Sequence, residues 1–354
     1  MKTVSSGCRG VWRGSGGHGF SRAVRPLISL WGLQPLRAFA ICFIWLWILL
    51  PVPISAQQPQ RISLIPRFVP GQVLRYQMEF RTVSEARVAG TVENPQAPAH
   101  VENTVGAQVR LDVLNPSPSA QPCEGCVRIR VSYDQVTVAT KADVQSPELA
   151  ENEAQLKSLE GRSFEFTMSS DGKVREVSGP GELAASEKKI IEEWLVQLAG
   201  GSGIPTAGVL PGEQWTAERP IAAPLRGVVW RSESTYLRDE PCRSAPVGGV
   251  APPVETCAVI LSRFEISRRE TGGDATPEEY RLRGLRTAGR LVGSGESLAY
   301  ISLTSGWVMS VTQQGDEETD LTVTSVDDNS QVRYAGRIRR QSSMTLLPPA
   351  SKSP

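Results

Sequence analysis

The chain has 354 residues, with 38 basic and 37 acidic side chains, and 40% of it is hydrophobic. That composition excludes a disordered chain and provides core for one large or two ordinary domains. Only two histidines are present, His18 and His100, which leaves little from which to build a histidine triad or metal centre.

Residues 1–56 hold six basic residues and no acidic one. An apolar run over 38–54 follows, and Ile54-Ser55-Ala56 then precedes Gln57-Gln58-Pro59. A basic region, an apolar region and a small residue, in that order, make a secretory signal, with cleavage expected after Ala56. The competing reading is an uncleaved anchor, and the 17-residue run is slightly short for one, since a span needs roughly 20. Either way the expected place is the periplasm or the cell exterior. Without the leader the chain is acidic by five charges. No basic patch interleaved with aromatics remains, so nucleic acid is not an expected partner.

Four cysteines follow the leader: Cys123, Cys126, Cys242 and Cys257. An even count in an exported chain favours disulfides, and three connectivities are open. Cys242 and Cys257 bracket a Pro/Gly-rich loop between two strands, so they are expected to pair with each other. Cys123 and Cys126 then close a small second ring or stay as thiols. Zinc is not expected, because no histidine lies near the second pair.

From Pro70-Gly71 a strand starts in which Leu74, Tyr76, Met78 and Phe80 alternate with polar residues. Residues 93–103 read as a loop carrying His100, and 106–114 as a second strand. Val127, Ile129, Val131 and Tyr133 form one face of a third. Ser146-Pro147 opens a helix that stops at Gly161. A hairpin comes next, with Phe164, Phe166 and Met168 on one face and a turn at Ser169 to Gly172. Its second strand is expected over 173–177. A helix between Pro180 and Gly200 follows, with Leu183, Ile190, Ile191, Trp194, Leu195 and Leu198 on one side. Pro211-Gly212 restarts the pattern with a strand containing Trp215. Further strands are expected over 228–237, around Ile260 to Ile266, and over 280–291, 297–303, 307–312, 319–326 and 331–339. Gly293-Ser294-Gly295 and Asp316-Glu317-Glu318 read as turns, and 341–354 as a disordered tail.

Three landmarks recur in the same order at nearly one offset. Pro70-Gly71 answers Pro211-Gly212, the strand after Cys126 answers the strand after Cys257, and SFEFTMSSDGKVREVS answers SLAYISLTSGWVMSVT. The expectation is a duplicated β-rich unit, 57–201 and 209–340. The fold class expected is α+β, mainly antiparallel β, with two related curved-sheet, half-barrel-like units, two main helices and about twelve strands.

The order of Pro-Gly and strand, helix, GRSFEF-type strand with its DGKV turn, helix, then PGEQW resembles a group of exported bacterial proteins of unknown function. More loosely the pattern is similar to the half-barrel lipoprotein carriers of the bacterial envelope. The resemblance covers most of 69–312 and brings no catalytic residues with it.

The residues offer little chemistry. His100 reads as a solvated loop residue. Ser294 lacks the GxSxG spacing of a nucleophile elbow. Carboxylates are plentiful, but nothing selects a pair, so a secreted hydrolase using carboxylates is the alternative rather than the main reading. No catalytic residue, metal site or cofactor is expected. The main reading is a non-catalytic envelope protein that binds an apolar ligand such as a lipid, or a partner protein. Trp194, Leu195 and Leu198 would cover a groove on the apolar side of the sheet. Membrane contact is expected only through an uncleaved 38–54.

Overall fold

Period-2 alternation fixes which face each strand buries, and here it produces strands of up to 18 residues. The computed structural model describes residues 60–90, 99–115, 125–169, 173–179, 203–221, 224–243, 254–269 and 274–348. The strands are β1 (Val73–Gly90), β2 (His100–Val113), β3 (Val127–Ala142), β4 (Ser163–Met168), β5 (Val174–Ser178), β6 (Gln214–Pro220), β7 (Val228–Cys242), β8 (Glu255–Arg268), β9 (Leu285–Ser302), β10 (Val308–Ser325) and β11 (Gln331–Leu347). Two helices interrupt them, α1 (Pro147–Lys157) and α2 (Glu278–Arg281). All eleven strands form one open antiparallel sheet in the order β5-β4-β3-β2-β1-β11-β10-β9-β8-β7-β6. The first strand pairs with the last, from Arg75 opposite Leu347 to Gly90 opposite Val332. The expected helix over 180–200 lies outside the described residues.

Several expectations need correction. Two pairs of expected strands are single long ones, which leaves eleven strands among the described residues. Residues 280–291 and 297–303 merge into β9 after the short α2, and 307–312 and 319–326 merge into β10. Gly293-Ser294-Gly295 and Asp316-Glu317-Glu318 are therefore not turns but the middles of strands, paired with each other. The glycines have a packing cause. Gly295 and Gly315 lie opposite one another, and a Cβ on either would collide with the Phe264 ring, which covers them. His100 is not in a loop; it is the exposed first residue of β2. Residues 341–347, read as the start of a tail, are the end of β11, with Met344 and Leu346 in the core.

The two halves have the same element order: three strands, a helix, then two strands, with β11 added at the end of the second. Their opening turns match atom for atom. Gly71 has φ +81° and Gly212 φ +84°, a left-handed conformation that favours glycine. Gln72 N–H donates to the Val69 carbonyl at 3.0 Å, and Glu213 N–H to that of Leu210 at 3.0 Å. The Gln72 Oε1 accepts from Val69 N at 3.2 Å, as Glu213 Oε2 accepts from Leu210 N at 2.9 Å. Gly71 N–H then donates to Val113 O of β2, and Gly212 N–H to Tyr236 O of β7.

α1 forms where the sequence placed it. Ser146 Oγ accepts from Leu149 N, Pro147 takes the first turn, and Gly161 follows at φ +77°. Ahead of β1, residues 61–68 make a strap across other elements of this unit. Ile62 bridges Val209, the Arg61 guanidinium donates to Gly208 O at 2.8 Å, and Leu64 is fully buried. Further on, Arg67 N–H donates to Ser305 O at 2.8 Å, and the Trp307 indole donates to Arg67 O at 3.0 Å.

Candidate functional site: the apolar face of the sheet

The register places the sheet's residues on two chemically distinct faces. Tyr76, Val109 and Tyr133 share one rung of the first face, and Met78, Met344, Val311, Ala299, Ile260 and Tyr236 share the next. These belong to the main buried cluster, which draws on β1 to β4 and on β7 to β11. Partly buried Phe80, Val138, Val174, Val177, Trp215 and Trp307 extend it. A smaller cluster on the same face gathers Phe264, Ile266, Leu291 and Leu321, with Trp230 stacked on Phe264 at 5.9 Å. Between the two runs a polar rung of Ser342, Gln313, Ser297, Ser262 and Ser234. There Ser234 Oγ and Ser262 Oγ are 2.7 Å apart.

The opposite face is a ladder of charges. Arg130 donates to Glu165 Oε1 at 2.8 Å, Arg81 pairs with Glu102 at 2.9 Å, and Arg333 grips Asp320 with two hydrogen bonds. Arg337 and Arg339 share Asp316. An open groove of about 600 Å³ on this face is lined by Arg263, Glu265, Ser294, Glu296, Asp316 and Arg339, among others. Within it Arg339 pairs with Asp316 and Gln314 donates to Glu296, and exposed contacts of this kind contribute little each. Partial burial acts to raise the Glu165 carboxyl, but hydrogen bonds from Arg130 and Arg128 outweigh it and hold the group below its ordinary value. Because that pKa is lowered by folding, its stabilising effect is full above roughly pH 4.3, the unperturbed glutamate value, and is lost as pH falls through the folded pKa. We expect Glu165→Gln to be less stable than the parent at pH 7 and equal to it at about pH 2 in urea titrations. A difference that persists at pH 2 would mean the ion pairs are not its source.

Trp194, Leu195 and Leu198 lie outside the described residues, so the described face is built without them. Cys242 and Cys257 are disulfide-bonded, as expected, with Cα atoms 5.8 Å apart. The pairing is diagonal across β7 and β8, where Glu240 faces Cys257 and Cys242 faces Glu255. Cys126 is also disulfide-bonded, and Cys123 lies outside the described residues. Among the described residues no group of three or more His, Cys, Asp or Glu is placed to hold a metal ion.

Buried phenols were not singled out from the sequence as site residues. Tyr236 donates to Asp239 Oδ1, and burial followed by the Asp239 carboxylate raises its pKa. Tyr76 and Tyr133 are raised by burial alone, Tyr133 up to about 12. The signal for them was the alternation itself, which assigns both to the buried face but gives no sign that their hydroxyls differ from that of Tyr236.

No protein family matches the chain, and no curated protein does. Among solved structures, the chain aligns with the outer membrane protein OprG from Pseudomonas aeruginosa at a TM-score of 0.15 and 6% identity, over 81% of this chain and 100% of that one. It also aligns with the toluene transporter TodX from Pseudomonas putida at a TM-score of 0.16 and 8% identity, over 81% and 94%. Likeness at that level carries no argument about this chain. The charges of the ladder are a stronger guide, because an Arg or Lys facing lipid at mid-depth costs about 2–4 kcal/mol. The charged face is a water-facing one.

Proposed function

We propose that the protein is an exported, non-catalytic binding protein of the cell envelope, and that the apolar face of its sheet takes an apolar ligand. The observation that carries this reading is the separation of faces. One side of a single eleven-stranded sheet holds both buried apolar clusters, interrupted by the polar rung and by an Arg340–Glu317 pair, and the other side carries the ladder of ion pairs. A sheet this wide twists and curls, and in this reading the apolar face is the concave one. The two edges, β5 and β6, are consecutive in the chain. The segment 180–202 therefore connects opposite ends of the sheet, and its apolar residues at helical spacing suit a cover over the concavity. In this proposal Trp194, Leu195 and Leu198 close the site. The Cys242–Cys257 disulfide fits an oxidising compartment and so supports export. The matched turns and shared element order of the halves support their origin as two related units, in line with the resemblance to envelope half-barrel carriers.

Native mass spectrometry of protein purified from its own envelope without detergent tests the reading. The expected result is a co-purifying lipid that is released by Trp194→Asp while the circular dichroism spectrum is unchanged. An empty parent protein would remove the ligand from the proposal and leave a partner-binding module.

A further inference from the structure

We infer that the groove on the charged face is a binding site for an uncharged saccharide. The inference goes beyond the apolar-ligand role and does not depend on it, since it concerns the opposite face of the sheet. Two rows of side chains frame the groove. Arg263, Glu296, Gln314 and Gln341 face one another in turn across β8, β9, β10 and β11. Two residues along each strand, Glu265, Ser294, Asp316 and Arg339 do the same. Four strands make the groove about 15 Å wide, and the rows stand about 7 Å apart. Ser294 is the shortest of these side chains and leaves room between its longer neighbours. The volume, about 600 Å³, lies in the usual range for small-molecule sites.

The groove is balanced in charge. Arg263, Arg339 and Arg337, which also pairs with Asp316, stand against Glu265, Glu296 and Asp316. An anionic ligand would meet three carboxylates and a cationic one three guanidinium groups, so neither sign is selected. An apolar chain would strip water from these charges without replacing its hydrogen bonds. A neutral molecule rich in hydroxyls meets none of these costs. Its hydroxyls donate and accept, and neighbouring pairs span the two oxygens of a carboxylate or the forked N–H groups of a guanidinium. The groove has capacity to spare, because the side chains of Arg263, Glu265, Ser294 and Gln341 make no hydrogen bond or ion pair among the described residues. Its internal contacts, Arg339 with Asp316 and Gln314 with Glu296, are exposed and cost little to redirect. Among the described residues no aromatic ring is offered to a sugar, since Phe264 holds its ring on the other face against Gly295 and Gly315. Hydrogen bonds alone then set a dissociation constant on the order of 1 mM.

The test is saturation-transfer NMR on the full exported protein, with maltotriose and chitotriose as neutral probes and trigalacturonate as an acidic one. At least one neutral probe is expected to bind at about 1 mM, and the acidic probe no more tightly. Ser294→Tyr fills the groove from an exposed strand position and should weaken binding by about tenfold or more, with the melting temperature unchanged. The Arg263→Ala, Glu265→Ala double variant removes no native contact among the described residues and should also weaken binding about tenfold. Binding that survives in the double variant overturns the site, whatever Ser294→Tyr does to the fold. Tighter binding of trigalacturonate than of either neutral probe overturns the uncharged class. Failure of both neutral probes to bind at about tenfold above that concentration overturns the inference. That failure leaves the apolar-ligand role standing, because lipid co-purification reads the role separately.

Discussion

Phe166→Ala is expected to lose about 3–5 kcal/mol of stability, the range for deleting a large buried aromatic. Phe166 is 1% exposed and sits in β4 with Ile129 on one side and Val177 on the other. Both flanking strands contribute to the main cluster, so little nearby can collapse into the space left behind. Against a typical total of 5–15 kcal/mol, the variant should unfold at much lower urea or fail to accumulate. Val69→Ala is the control: Val69 is 62% exposed, and its truncation should change the urea midpoint very little. If Phe166→Ala costs under about 1 kcal/mol, the apolar face at β4 is not closed, and the core described here is wrong at that edge.

The second large effect belongs to the disulfide. Removing it with Cys242→Ala and Cys257→Ala together should cost about 3 kcal/mol, the chain-entropy value for a loop of 15 residues. Reducing the parent protein should give at least this loss, because the disulfide of Cys126 is broken as well. Non-reducing peptide mapping checks the connectivity independently. A Cys126–Cys257 peptide would contradict the pairing and predict a much larger loop effect.

How far the sequence could be read depended on which interaction decided each element. β1 was legible because Leu74, Tyr76 and Met78 alternate with polar partners, and one face is buried. α1 was legible because its cap and stop are local: Ser146, Pro147 and Gly161 act within a few residues of themselves. The disulfide followed from two cysteines at the ends of one hairpin loop. The middles of β9 and β10 were not legible. Gly295 and Gly315 carry the local signature of turns, and only the Phe264 ring from β8 explains them as strand residues. Asp316 and Glu318 likewise read as a solvated turn, while in the sheet they lie opposite Arg339 and Arg337 on the charged face. The end of β11 was missed because its partner is β1, at the other end of the described chain. The apolar face could be assigned strand by strand from alternation.

The pairing of β1 with β11 also sets the order in which this molecule can be completed. Among the described strands β1 is synthesised first and β11 last, so β1 has only β2 beside it until β11 is available. Its other edge, from Arg75 to Gly90, is meanwhile an unsatisfied row of backbone donors and acceptors with an apolar flank. Contacts this distant in sequence slow folding and lengthen the life of partly folded species. Until β11 arrives, β1 offers a template on which a second chain could pair. Shielding that edge of β1 until β11 is made should therefore raise the yield of folded protein.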